Sequence, residues 1–157
     1  MNQEDKIHLF QEQKVRTHWD EEQEKWFFSV QDIVQILSDS KDVKQYIKKM
    51  RSRNTELNAN WGTICTPLEM IAADGKSRKI QAADTEGVLR IIQSVPSKKV
   101  EPFKQWLAKV GAERIEETED PELAFDRAME TYLAKGYSRE WINQRLKSIE
   151  VRKELTT

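Results

Sequence analysis

The chemistry this sequence advertises most openly is a run of cations. Between Lys41 and Arg53 stand Lys41, Lys44, Lys48, Lys49, Arg51 and Arg53, against one acid, Asp42. Lys41, Lys44, Lys48 and Arg51 step by three, four and three, so in a helix they share one face. Val43, Ile47 and Met50, with Tyr46 beside them, fall on the other. Such a helix packs on a core and offers its cations to phosphates. A charge run by itself is more often only a solvated face. A second group, Lys76, Arg78 and Lys79, follows the turn signal Asp74-Gly75. A basic helix with a basic hairpin has the make-up of a reading helix with a wing, and this favours duplex DNA as the partner.

Other chemistries find little support. His8 and His18 are the only histidines and both fall in strand-like segments. Cys65 is the sole cysteine, so no Cys pair has metal-ligand spacing and no internal disulfide is possible. No Gly-rich stretch suits a phosphate cradle. The acids from Glu116 to Asp120 read as a solvated helix end. Trp26-Phe27-Phe28 offers aromatic rings for base stacking, but alternate strand residues face inward, so core packing is the expectation. We expect no catalytic residue, no metal and no cofactor.

The elements that must position the cations follow from periodicity. Ile7–Phe10 and Lys14–Trp19 read as strands, and Trp26–Phe28 returns after the polar turn Asp20–Lys25. Ser29 caps a helix with Asp32 in a capping-box position and an apolar stripe of Val30, Ile33, Val34 and Leu37. Ser38-Asp39-Ser40 ends it and caps the basic helix, expected over Lys41–Arg53. Residues 54–61 read as a loop. A strand from Thr63 to Thr66, continuing towards Ala72, then pairs with Arg78–Ala82 across the turn. Asp84 or Thr85 caps a helix through Ile92, stopped by Pro96, and a fourth starts near Ser97. The fold class is therefore α+β, a small antiparallel sheet with packed helices.

The acidic run Glu113–Glu122, with Pro121 near its end, marks the expected boundary between a domain over residues 1–115 and a helical hairpin over 121–157. Gly136 ends the first hairpin helix and Ser138 caps the second. The last helix meets no stop signal, so the chain can be a piece of something longer. A helix-turn-helix over residues 123–150 is disfavoured, because Tyr132 stands where a small residue would let the helices approach. Net charge is −1 over 157 residues, so any nucleic-acid surface must come from uneven placement. A polar N-terminus without an apolar run and a lone cysteine fit the cytoplasm, with no membrane segment.

Three stretches, in this order, carry a family resemblance. They are Trp26–Leu37 (WFFSVQDIVQIL), Ala83–Ile92 (ADTEGVLRII) and Ser97–Leu107 (SKKVEPFKQWL). Together they resemble the Bro-N domain of prophage antirepressors and insect-virus BRO proteins, over about residues 7–115. The segment Tyr132–Leu155, with Gly136–Ile142 (GYSREWI), looks like the extension of a branch called DNA-damage-inducible protein D-like. The resemblance implies a DNA-binding regulator of transcription of phage origin. The alternative is a protein-interaction module that binds a repressor or forms a homodimer through its C-terminal helices, with Tyr132, Trp141 and Ile142 as the partner-binding residues.

Overall fold

The computed structural model describes residues 15–72 and 74–156, with side chains to Lys153. The strand expected at Ile7–Phe10 lies outside the described residues. Those residues form four strands and seven α-helices, an α+β fold. They divide into two compact units between Gln105 and Trp106.

In the first unit, β1 (Thr17–Asp20) and β2 (Lys25–Ser29) form a hairpin. β3 (Thr66–Ile71) and β4 (Ser77–Ala83) form another. The sheet is antiparallel, in the order β1-β2-β4-β3, joined where Phe28 and Ser29 face Ala83 and Ala82. It curls, and the Arg16 guanidinium, just before β1, donates to the Ile71 carbonyl at the end of β3 (3.0 Å). Phe27, Met70, Ile80 and Ala82 bury on its inner face, with Leu68 against them. Core packing is thus what the Phe27 and Phe28 rings do, although as adjacent strand residues they fall on opposite faces of the sheet.

Ser29 ends β2 and caps α1 (Val30–Ser38), its hydroxyl accepting from the Asp32 N–H at 3.3 Å. Val30, Ile33, Val34 and Leu37 are buried as their spacing predicts. Asp32 does not complete a capping box. The Ser29 N–H is already taken by the Arg16 carbonyl (2.9 Å), and the Asp32 carboxylate turns to Arg16 instead. Asp39, left-handed at φ 56°, ends α1. Next comes α2 (Val43–Arg53), which starts two residues later than the sequence suggested, because Asp42 is its cap and accepts from the Gln45 N–H (3.1 Å).

Residues 54–61 are not a loop. Asn54 accepts from the Leu57 N–H (3.0 Å) and opens α3 (Thr55–Ile64), which buries Leu57 and Trp61 one turn apart. Asn and Gly disfavour a helix locally, and burial of these two side chains overrides that preference. The helix also takes Thr63 and Ile64, so β3 begins only at Thr66. Asp84 caps α4 (Thr85–Ile92), accepting from the Gly87 N–H (2.9 Å). Gly87 is required there: a Cβ would stand 2.9 Å from the Ile64 carbonyl oxygen. A 3-10 turn, Lys98–Val100, follows the Ser97 cap and leads into α5 (Glu101–Glu119).

The second unit holds the rest of α5, then α6 (Glu122–Ala134) and α7 (Arg139–Thr156). Most of the acidic run expected to separate two domains is helical, up to Glu119, and residues 115–121 fall inside this unit. Arg127 neutralises part of it, donating to the Glu113 carbonyl (2.6 Å) and Glu116 (2.7 Å), with Glu117 at 3.2 Å. Gly136, at φ 95°, supplies the left-handed turn between α6 and α7. No described helix is long and apolar enough to cross a membrane.

Candidate nucleic-acid interface

α1 and α2 are joined by four residues, Asp39–Asp42, and pack on each other, a connectivity that a helix-turn-helix shares with other short helical hairpins. The turn is held from both sides. The Gln35 side-chain amide donates to the Ser40 carbonyl. The Ser38 hydroxyl donates to the Val34 carbonyl (2.6 Å) and accepts from the Ser40 N–H (3.2 Å). Lys99, in the 3-10 turn, pairs with Asp39 at 2.5 Å. The second helix of the pair is the basic one.

On α2, Lys44, Lys48, Lys49 and Arg53 are exposed, and none has an ion-pair partner among the described residues. At about 100° per residue, Lys44 and Lys48 form one flank and Lys49 and Arg53 another, about 140° round the helix. Met50 is buried on the opposite side, with Val43, Tyr46 and Ile47 half-buried beside it. Burial pushes the Tyr46 phenol above its ordinary pKa, with Arg53 opposing. Lys41 is exposed but precedes the helix cap, so it does not continue the stripe. Arg51 is not a free cation. Its Nε donates to Asn58 Oδ1 (3.0 Å) and its guanidinium lies 4.8 Å from the Trp61 ring centroid, fastening α2 to α3.

The β3–β4 hairpin carries the second basic group. Arg78 pairs with Asp74 at 2.5 Å, and that contact, with the Lys76 N–H, holds the Asp74 carboxyl below its usual pKa. Lys76 and Lys79 are exposed and have no ion pair among the described residues. The hairpin pairs with β2, whereas α2 packs on α1 and α3. Arg16 ties the hairpin to α1, the helix on which α2 packs. Its backbone N–H (2.9 Å), Nε (2.7 Å) and Nη2 (2.7 Å) all donate to Asp32 in the first turn of α1. Its Nη1 holds the Ile71 carbonyl at the hairpin end. The Asp32 bond raises the Arg16 pKa against the cost of burial. No local pattern announces this clasp, because its partners lie 16 and 55 residues from Arg16.

Elsewhere the chemistry is quiet. Cys65 is buried, and burial pushes its thiol up to about 12, with Arg51 opposing. His18 stands opposite Phe27 in the β1–β2 ladder. The described residues contain no group of three His, Cys, Asp or Glu side chains able to hold a metal. An open groove between the ends of α3 and α4 is rimmed by the Lys25–Asp84 ion pair (3.0 Å).

Of the residues expected to meet a protein partner, Ile142 is fully buried. Tyr132 is half-buried and Trp141 is 41% exposed. Tyr137, not anticipated, stacks on Trp141 with centroids 4.1 Å apart, and Tyr132 meets both rings edge-on. Its position right after Gly136 was the available signal.

Residues 14–113 match the family model described as the BRO family, N-terminal domain. No curated protein and no solved structure matches the chain.

Proposed function

This chain belongs to the BRO family through its N-terminal domain, and we propose that it is a DNA-binding regulatory protein of the prophage antirepressor type. The observation that carries the reading is the exposed basic surface of α2, without ion pairs among the described residues, on the second of two helices joined by a short turn. Cations without internal partners keep their full attraction for phosphates, and each phosphate neutralised releases counterions. Lys44, Lys48, Lys49 and Arg53 are the principal contacts. Lys41 adds to them at the turn, and Lys76 and Lys79 from the hairpin. Arg51 and Arg78, each already bonded within the chain, position their elements. Such a regulator acts in the cytoplasm, on double-stranded DNA.

A mobility-shift titration against mixed duplex DNA at several salt concentrations tests the reading. Lys44→Glu with Lys48→Glu should weaken binding strongly and reduce the slope of log K on log salt by about 2. Both side chains are solvent-exposed, so the circular dichroism spectrum should not change. Unchanged affinity at low salt with a native spectrum would remove α2 from the DNA surface.

A second reading concerns the second unit, favoured by the exposed Tyr137–Trp141 stack. Exposed aromatic pairs make good anchors for a protein partner, either a repressor or a second copy of the chain. Binding through them would be nearly independent of salt, which separates it from the DNA reading.

A further inference from the structure

The cations of α2 do not fill its exposed face. They border it. With Lys44 and Lys48 on one flank and Lys49 and Arg53 on the other, the middle of the face falls on Gln45 and Ser52, which project within about 20° of each other. That line lies nearly opposite buried Met50 and points straight away from the core. A helix seated in a major groove with this line downwards would send each cation pair to one wall of phosphates.

The two central residues are not equivalent. The Ser52 hydroxyl donates to the Lys49 carbonyl at 2.9 Å and is committed to its own helix. Gln45 is exposed, and its side-chain amide has no partner among the described residues. Its backbone N–H is satisfied by the Asp42 cap, so the residue is fixed while the amide stays free. Gln45 also stands in the first turn of α2, and in helix-turn-helix proteins the N-terminal end of the second helix reaches the base edges.

We propose that Gln45 is the base-reading residue of this interface and that it reads adenine. An extended primary amide offers one donor and one acceptor side by side, complementary to N7 and the N6 amino group of adenine in the major groove. Phosphate contacts from the flanking cations set register and affinity, and Gln45 sets base choice. This inference rests on the DNA-binding reading above.

Selection from a randomised duplex pool with the full-length protein, wild type and variants, tests it. The wild type should enrich adenine at one position of its recovered site. Gln45→Ala should lose that preference while its affinity for unselected duplex DNA and its salt slope stay within about twofold of wild type. Gln45→Arg should shift the preference to guanine, whose O6 and N7 match a guanidinium. The same base preference in all three proteins, or a wild type that binds duplex DNA with no adenine preference, overturns the assignment and leaves the DNA-binding reading standing. A wild type that binds no duplex overturns both.

Discussion

Removing the Asp32 carboxylate is the most informative perturbation of the scaffold. Asp32 accepts three hydrogen bonds from one residue, Arg16, at 2.7–2.9 Å. Bonds to a charged acceptor contribute roughly 1.5–3 kcal/mol each when isolated and buried. Here the two side chains are 32% and 19% exposed, so water recovers part of the loss once the carboxylate is gone. The guanidinium also keeps its bond to the Ile71 carbonyl. We therefore expect Asp32→Ala to cost about 2–3 kcal/mol, above a surface ion pair and below a buried one. For a chain of this length that is a fall in Tm of about 5–10 °C. Urea titration followed by tryptophan fluorescence measures it. A double-mutant cycle with Arg16→Ala should return a coupling of more than about 1 kcal/mol. Additive effects, or a cost for Asp32→Ala under about 0.5 kcal/mol, would show that the clasp does not hold α1 to the sheet.

Three further outcomes follow from the same fold. Gly87→Ala should destabilise by about 1–3 kcal/mol despite alanine's better helix propensity, because the new Cβ meets the Ile64 carbonyl oxygen at 2.9 Å and the Ala83 Cβ at 3.0 Å. Gly62→Ala, in a helix with nothing within 4 Å, should stabilise instead, and opposite signs in urea melts check the pair. Asp84 is opposed by burial, but the Gly87 N–H and Lys25 outweigh that and hold its pKa below the usual value. The folded state then binds fewer protons than the unfolded one. Its contribution is whole above a pH of about 4 and drains as pH falls through the lower folded pKa. The urea midpoints of wild type and Asp84→Asn should therefore converge on acidification, and a constant gap would contradict the assignment. Finally, the Cys65 thiol should resist a disulfide reagent at pH 8 in the native protein and react once urea unfolds it, since burial both hides it and holds it protonated. Rapid native labelling would show that the α3–β3 junction opens readily.

What the sequence made legible was what its neighbours in the chain decide. α1 could be read because its cap and its apolar stripe lie within nine residues of one another. The hairpin turn at Asp74-Gly75 was equally local, Gly75 taking φ 81°. α3 was missed because only Leu57 and Trp61 give it an apolar face, amid Asn and Gly that locally suggest a loop. The ion pairs that Arg127 makes with Glu116 and Glu117 could not be read from the acidic run, because Arg127 lies ten or more residues away. The Arg16–Asp32 clasp was invisible for the same reason, having no signature short of the fold itself.

The candidate interface shows how such long-range partners change a local reading. Spacing alone put Lys41, Lys44, Lys48 and Arg51 on one working face. The Asp42 cap leaves Lys41 outside the helix, and Trp61 with Asn58 draws Arg51 towards α3. At helical spacing these two mark the opposite edges of the stripe. The cations that remain open on the helix are Lys44, Lys48, Lys49 and Arg53, and the centre of the face they bound lies about 70° round from the stripe that the spacing suggested. A face centred on lysines would bind any duplex through its phosphates. A face with lysines at its edges and an amide at its centre has the means to choose among sequences, since phosphate contacts carry no sequence information and base edges do. The missed helix α3 is therefore part of the functional argument. On the DNA-binding reading proposed above, α3 engages Arg51 and leaves the polar centre of α2, and Gln45 with it, open to a groove.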